Sequence, residues 1–312
     1  MNTFQRYLAE EFAEDFQEGR LPRHEAVRLI TSVTDNLVLA ETVLAAHATP
    51  AQASAAVLPS LTSPVQPALR ASTTAASEVP DVRGETVSFD SGGVPVAGYL
   101  ASPSAEGRPP APLILVCHEN RGLTEHIRDV ARRLAGAGYI ALAVDLLSRQ
   151  GGSQAVGEAD VPGVLAHQPP EQFVADFRSG LAYGVGLPQV DGARVGMVGF
   201  CFGGGVTWLC ATRMPELLAA VPFYGPHPLV EDVANIRAAV LAIYAGRDDR
   251  INQGIPPIEA AMRQYGKVFE KVIYPDVDHA FHNDTGPRYA PEAARDAWAR
   301  TLDWFDRYVR SA

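Results

Sequence analysis

The chain has 312 residues, 47% of them hydrophobic and 20% charged, with a formal net charge of -10. That length supports one large α/β domain plus an appendage, and the acidic balance, with no Lys/Arg-rich run, argues against nucleic acid and anionic membrane surfaces as main partners. Cys117, Cys201 and Cys210 show no C-x-x-C spacing and cannot all pair, so neither a disulfide framework nor a structural zinc site is implied, and they read as thiols in a reducing compartment.

Residues 1–48 read as a helical N-terminal extension. Leu29, Ile30, Val33, Leu37, Val38 and Leu44 are spaced for an apolar stripe, and Pro22 stands at a helix start. No window approaches the roughly 18 apolar residues of a membrane span. Asp35, Asn36 and Glu41 interrupt the partly apolar run before Ala48, so it does not read as a cleaved signal, and a cytoplasmic location is expected. The apolar stripe predicts docking on the main domain or on a second copy of the chain. Residues 49–84, rich in Ala, Ser, Thr and Pro, read as a linker or surface strap.

Residues 85–312 carry the main domain. "DSGG" joins Thr86–Phe89 to Val94–Leu100 as a predicted hairpin, its glycines supplying positive φ. Short apolar runs then alternate with helical segments: Leu113–Cys117, a helix near Glu125–Gly136, Ile140–Val144, and a helix near Glu171–Tyr183. Next come Val195–Val198, a helix after Cys201, Ala219–Phe223, Val240–Ala245, a helix near Pro257–Tyr265, Val268–Tyr274 and a last helix from Pro291. The alternation predicts an α/β fold, a mostly parallel sheet with helices on both faces and its site at the carboxyl ends of the strands.

Cys201 lies in "GFCFGG", between an apolar strand and a helix, the setting of a nucleophile elbow with cysteine where serine is usual. Helix N-terminal N–H groups at such a turn favour a thiolate and can help hold an oxyanion. A thiol nucleophile needs a base and the base an orienting acid, in the chain order nucleophile, acid, histidine. Asp248 or its neighbour Asp249 follows one predicted strand, and His279 or His282 the next; Asp248 and His279 are preferred. Glu119 and Asn120 follow the strand Leu113–Cys117, where the second oxyanion N–H of such a fold arises. The histidines show no H-x-x-x-H or H-E-x-x-H spacing, so neither metal nor cofactor is expected.

Together these motifs resemble the dienelactone hydrolase family, cysteine-dependent members of the α/β-hydrolase fold. The resemblance is carried by "GFCFGG", "CHENRG", "VDLLSRQG", "PFYG" and "DHAFHND" and runs from about Glu85 to Val309. It implies Cys201 as nucleophile, His279 as base and Asp248 as its orienter. It further implies Glu119 as a carboxylate against the thiol, backbone N–H groups of Asn120 and Phe202 as the oxyanion site, Arg149 as the grip on a substrate carboxylate, and Tyr224 as pocket lining. The implied reaction is hydrolysis of a carboxylate-bearing enol-lactone through a thioester acyl-enzyme. The alternatives are a general small-acyl carboxylesterase, a non-catalytic binding module on the same scaffold, and a redox-sensing thiol protein.

Overall fold

The computed structural model describes residues 1–47, 82–104 and 109–311. The expected strap lies outside the described residues except for 82–84, which already belong to the first strand, ahead of the boundary expected at Glu85.

Eight strands form one sheet: β1 (Val82–Ser91), β2 (Val94–Pro103), β3 (Ala111–Cys117), β4 (Ile140–Val144), β5 (Val190–Phe200), β6 (Ala219–Phe223), β7 (Ala239–Ala245) and β8 (Phe269–Tyr274), in the order β1-β2-β4-β3-β5-β6-β7-β8. β1 and β2 form the hairpin that "DSGG" predicts. Ser91 faces Val94 across a turn in which Gly92 and Gly93 have φ of 64° and 82°, a conformation that costs glycine nothing. β2 pairs with β4 antiparallel, and all later pairings are parallel. The central strands are apolar without alternation because both faces are covered: Leu113–Cys117, Ile140–Val144 and Val195–Phe200 are buried apart from their glycines' lack of side chain.

The crossover helices follow the apolar spacing. In α4 (Glu125–Gly136), Ile127, Val130, Ala131 and Leu134 form the buried face. α5 (Val161–His167), a short helix the sequence pattern did not announce, precedes α6 (Pro170–Val185). α7 (Phe202–Arg213) follows β5, and α8 (Asp249–Asn252), α9 (Ile255–Gln264) and α10 (Pro291–Phe305) complete the domain. The chain leaves β3 for β4 on one side and returns to β5 on the other, so right-handed crossovers put α4 and α6 on opposite faces. The crevice at that reversal opens at the ends of β3 and β5, the strands that lead into His118–Asn120 and into Cys201.

The extension forms α1 (Thr3–Gln17), α2 (Arg23–Thr34) and α3 (Leu37–His47). α1 starts with a reciprocal cap: Asn2 Oδ1 accepts from the Gln5 N–H and Gln5 Oε1 from the Asn2 N–H. Phe4, Leu8, Phe12 and Phe16 recur every four residues and are buried. Phe4 meets Phe202 and Phe173, with ring centroids 4.9 and 5.5 Å apart, so this helix packs directly on the start of α7 and on α6. Each such side chain contributes about 1.5–3 kcal/mol by burial, which docks α1 over the crevice. Tyr7 and Glu11, also four apart, are buried along with that stripe.

Close approach at the β5–α7 turn demands glycine. A Cβ on Gly204 would lie 2.3 Å from the Phe223 carbonyl oxygen, and one on Gly225 2.2 Å from the Gly205 nitrogen. Both obstacles are backbone and cannot swing aside. Gly204→Ala is expected to destabilise the chain by about 2 kcal/mol through overpacking, read as a lower urea midpoint with the slope unchanged.

Candidate active site

β5 delivers Cys201 into a sharp turn with φ 57° and ψ -121°, and Phe202 begins α7 immediately after it. The turn is held by the Cys201 N–H donating to Phe223 O at 3.1 Å and by the Gly204 N–H donating to Cys201 O at 2.9 Å. The loop after β7 brings Asp248 and the loop after β8 brings His279. Asp248 Oδ2 lies 2.6 Å from His279 Nδ1, and Asp248 Oδ1 also accepts from the Ile251 N–H at 3.2 Å, which fixes the carboxylate's orientation. Asp249 is exposed at the start of α8 and plays no part in this pair.

His282 lies elsewhere, in the aromatic core. Its ring stacks on Phe200 with centroids 4.9 Å apart and meets Phe223, Trp298 and His126. The choice between the two histidines is thus made by the backbone: Ala280, with φ of 63°, turns the chain between them.

The thiol does not meet Glu119. Glu119 Oε2 accepts from Asn283 Nδ2 at 2.7 Å, while Oε1 is buried without a partner. The carboxylate beside Cys201 Sγ belongs instead to Glu11 of α1, with its oxygens at 3.8 and 3.9 Å and Asn120 Nδ2 donating to Oε1 at 3.3 Å. The Tyr7 hydroxyl is 3.1 Å from Cys201 Sγ and 3.2 Å from His279 Nε2. Sequence reasoning missed both residues. Their one visible signal was a Tyr and a Glu four apart on a helix whose neighbouring positions are apolar.

Arg149 differs from its implied role as well. Its guanidinium donates to Asp176 Oδ1 at 2.7 Å and to the Ser91 carbonyl at 3.0 Å, so its carboxylate partner is this chain's own buried Asp176. The cavity that reaches Cys201 takes its cations from Arg121 and Arg288. Tyr224 is fully buried at φ 36° and stands edge-on to His279 with ring centroids 4.9 Å apart, so it packs against the imidazole. His118, held neutral by burial, accepts from the Leu146 N–H at 3.2 Å and fastens the turn that carries Glu119 and Asn120.

Burial opposes charge on His279, but the Asp248 carboxylate at its Nδ1 and the Cys201 sulfur together outweigh it and push the imidazole up to about 10. The same contact, helped by Arg250, holds Asp248 low despite its burial. Burial and then Glu11 push the Cys201 thiol up against the opposing pull of His279, so the thiolate expected at a helix N-terminus is not favoured here. Among the described residues Glu11, Cys201 and His279 are also the set whose ligand atoms converge closely enough, within 4.8 Å, to hold a metal ion. Cys201 and His279 come from the strand ends of the sheet and Glu11 from the covering helix. No helix of the described residues is long and apolar enough to cross a membrane.

A cysteine at a strained strand-to-helix turn, with a histidine–aspartate pair at the ends of the last two strands, defines an α/β-hydrolase-fold enzyme. Comparison with known proteins makes this specific. The dienelactone hydrolase family profile matches residues 96–309, and the chain belongs to that family. It is 38% identical over 262 residues, 78% of this chain and 87% of the relative, to a Methylorubrum extorquens protein named "putative carboxymethylenebutenolidase". An Escherichia coli K12 protein of the same name is 35% identical over 68% of this chain and 88% of its own length. A crystal structure titled "putative dienelactone hydrolase", from Klebsiella pneumoniae, superposes with a TM-score of 0.68 at 33% identity, covering 73% of this chain and 100% of that one. The chain is a hydrolase of this family acting on small molecules.

His282 has a consequence for stability. Burial, His126 and Arg133 depress it to about 3 against the pull of Asp284, well below the ordinary histidine value of about 6.5. A buried histidine that is neutral when folded supports stability fully above about pH 6.5 and withdraws it as pH falls toward 3, by up to about 1.4 kcal/mol per pH unit. His282→Phe, which keeps an aromatic ring among aromatics, is expected to flatten the fall in unfolding free energy between pH 6.5 and 3, measured by urea titration at each pH.

Proposed function

We propose that Cys201, His279 and Asp248 are the catalytic triad of a hydrolase that opens carboxylate-bearing enol-lactones. The observation that carries this reading is the 2.6 Å Asp248–His279 contact, which leaves His279 Nε2 as the ring nitrogen on the side of the Cys201 elbow. In its neutral form His279 takes the thiol proton as Cys201 Sγ attacks the lactone carbonyl, and the negative charge grows on the carbonyl oxygen, against the backbone N–H groups of Asn120 and Phe202. The C–O bond to the ring oxygen then breaks, His279 returns the proton to that oxygen, and a thioester remains. Water, deprotonated by His279, attacks the thioester carbon and releases the acid and the thiol. Asp248 holds the imidazole in its orientation and stabilises its charged form throughout.

The preference for an acidic substrate is assigned to Arg288, helped by Arg121, because both line the cavity at Cys201 and a guanidinium fork suits a carboxylate. It agrees with the activity that the relatives' names describe.

Cys201→Ala and His279→Ala are each expected to lower kcat/KM for a carboxymethylene-substituted butenolide and for p-nitrophenyl acetate by about a thousandfold or more. Wild-type rates in Cys201→Ala would overturn the triad. Arg288→Gln is expected to lower the ratio of lactone to neutral-ester kcat/KM by about tenfold, the value of one charge-assisted hydrogen bond. An unchanged ratio removes Arg288 from substrate recognition.

A further inference from the structure

We propose that α1 is an internal plug of the active site, in which the Tyr7 hydroxyl occupies the place of the substrate's leaving oxygen and the Glu11 carboxylate that of the substrate's carboxylate. The enzyme turns over only when this edge of α1 withdraws. The proposal rests on the triad reading above and adds the regulation of that same site.

The geometry around Tyr7 leaves one place for two oxygens. A leaving oxygen must lie close to the attacked carbon on Sγ and within hydrogen-bond reach of His279 Nε2, which returns the proton. The phenol oxygen already holds that position, 3.1 Å from Sγ and 3.2 Å from Nε2. Beside it Glu11, only 4% exposed, brings a carboxylate to within 4 Å of Sγ and takes the Asn120 amide.

Space leads to the same conclusion. The cavity left at Cys201 is about 50 Å³, enough for a few waters, whereas pockets that take up small-molecule ligands begin near 300 Å³. Outside it, between α1, α2 and the loop after β3, a cavity of about 340 Å³ shares Glu11, Asn120, Arg121 and Arg288 with the inner one. Glu11 therefore stands at the boundary between a space large enough for substrate and the nucleophile.

The plug is latched to the loops that carry the base and its orienter. Arg250, two residues after Asp248, reaches Glu14 at 3.3 Å and lies over the Tyr7 ring at 4.6 Å. Arg288, on the segment after His279, reaches Asp15 at 3.4 Å. The latch is incomplete: both terminal nitrogens of Arg250 are buried without a hydrogen-bond partner, a cost that the closed state bears. A carboxylate substrate entering the outer cavity competes with Glu11 and Asp15 for Arg288, which gives it a means of opening its own site. The plug residues precede residue 96, where the family match begins, so the plug is an addition to the family unit.

The test uses the full-length chain and two readouts. Carbamidomethylation of Cys201 by iodoacetamide is followed by mass spectrometry of its peptide, and hydrolysis of p-nitrophenyl acetate is followed in parallel. Tyr7→Ala removes the plugging group, and Glu14→Gln with Asp15→Asn removes the latch from partly exposed positions without touching the cavity wall at Cys201. If the site is closed in nine molecules of ten or more, each variant speeds alkylation and raises kcat/KM for the ester by about tenfold or more. Alkylation at the wild-type rate in both variants overturns the plug, and so does faster alkylation with ester turnover lowered in Tyr7→Ala, which would make the phenol a participant. Cys201→Ala in the Tyr7→Ala background separates the two ideas: persisting hydrolysis there removes the triad, while the alkylation rates still decide whether α1 closes the site.

Discussion

The backbone at Cys201 is the constraint on which the rest of the site depends. A side chain other than glycine at φ 57° and ψ -121° costs on the order of 1–3 kcal/mol, and such a conformation persists only where the surroundings determine it. Here the surroundings are the ends of β3 and β6. A Cβ on Gly203 would press on the His118 carbonyl and one on Gly204 on the Phe223 carbonyl, so the first turn of α7 is wedged between two neighbouring strands. That wedge fixes where Sγ stands relative to the loops after β7 and β8. The strain recurs in those neighbours, with positive φ at Tyr224 and Ala280, the residues behind and beside His279.

Charge arrangement follows from that position. His279 is buried and yet inclined to be protonated, because Asp248 is close and is itself oriented by the Ile251 N–H. The thiol opposite is inclined to stay neutral, because its burial and, after that, Glu11 outweigh the histidine. A neutral thiol thus faces an imidazole that favours its proton, and the carboxylate that adds to the effect of burial comes from outside the α/β unit. In place of the strand-end Glu119, whose carboxylate is taken up by Asn283, a helical carboxylate approaches the sulfur.

The arginines show how a residue type keeps its physical preference while its partner changes. Arg149, whose guanidinium suits a carboxylate, donates to Asp176 and to the Ser91 carbonyl through one nitrogen, which ties the loop after β4 to α6 and to the hairpin end. Arg250 and Arg288 each reach one helical carboxylate, Glu14 and Asp15, through a single nitrogen, and those bonds connect α1 to the loops after β7 and β8. The motif around Arg149 was readable; its partner, 27 residues away in sequence, was not.

Much of the architecture was determined by the sequence alone. Apolar runs with no alternation require strands covered on both faces, the "DSGG" turn requires a hairpin, and glycines flanking Cys201 require a turn too tight for side chains. Since strand ends in such a sheet converge, the order Cys201, Asp248, His279 also implied which loops would meet. The tertiary structure decided among neighbours and among distant partners. Asp248 rather than Asp249 meets His279, and His279 rather than His282 lies on the side of the thiol, because loop backbones turn within one to three residues, and such a turn carries no mark in composition or period. Tyr7 and Glu11 reached the site only through the docking of α1. That docking is driven by the non-directional burial of Phe4, Leu8, Phe12 and Phe16, and which surface a buried stripe covers is set by complementary shape on the far partner, which local sequence does not encode.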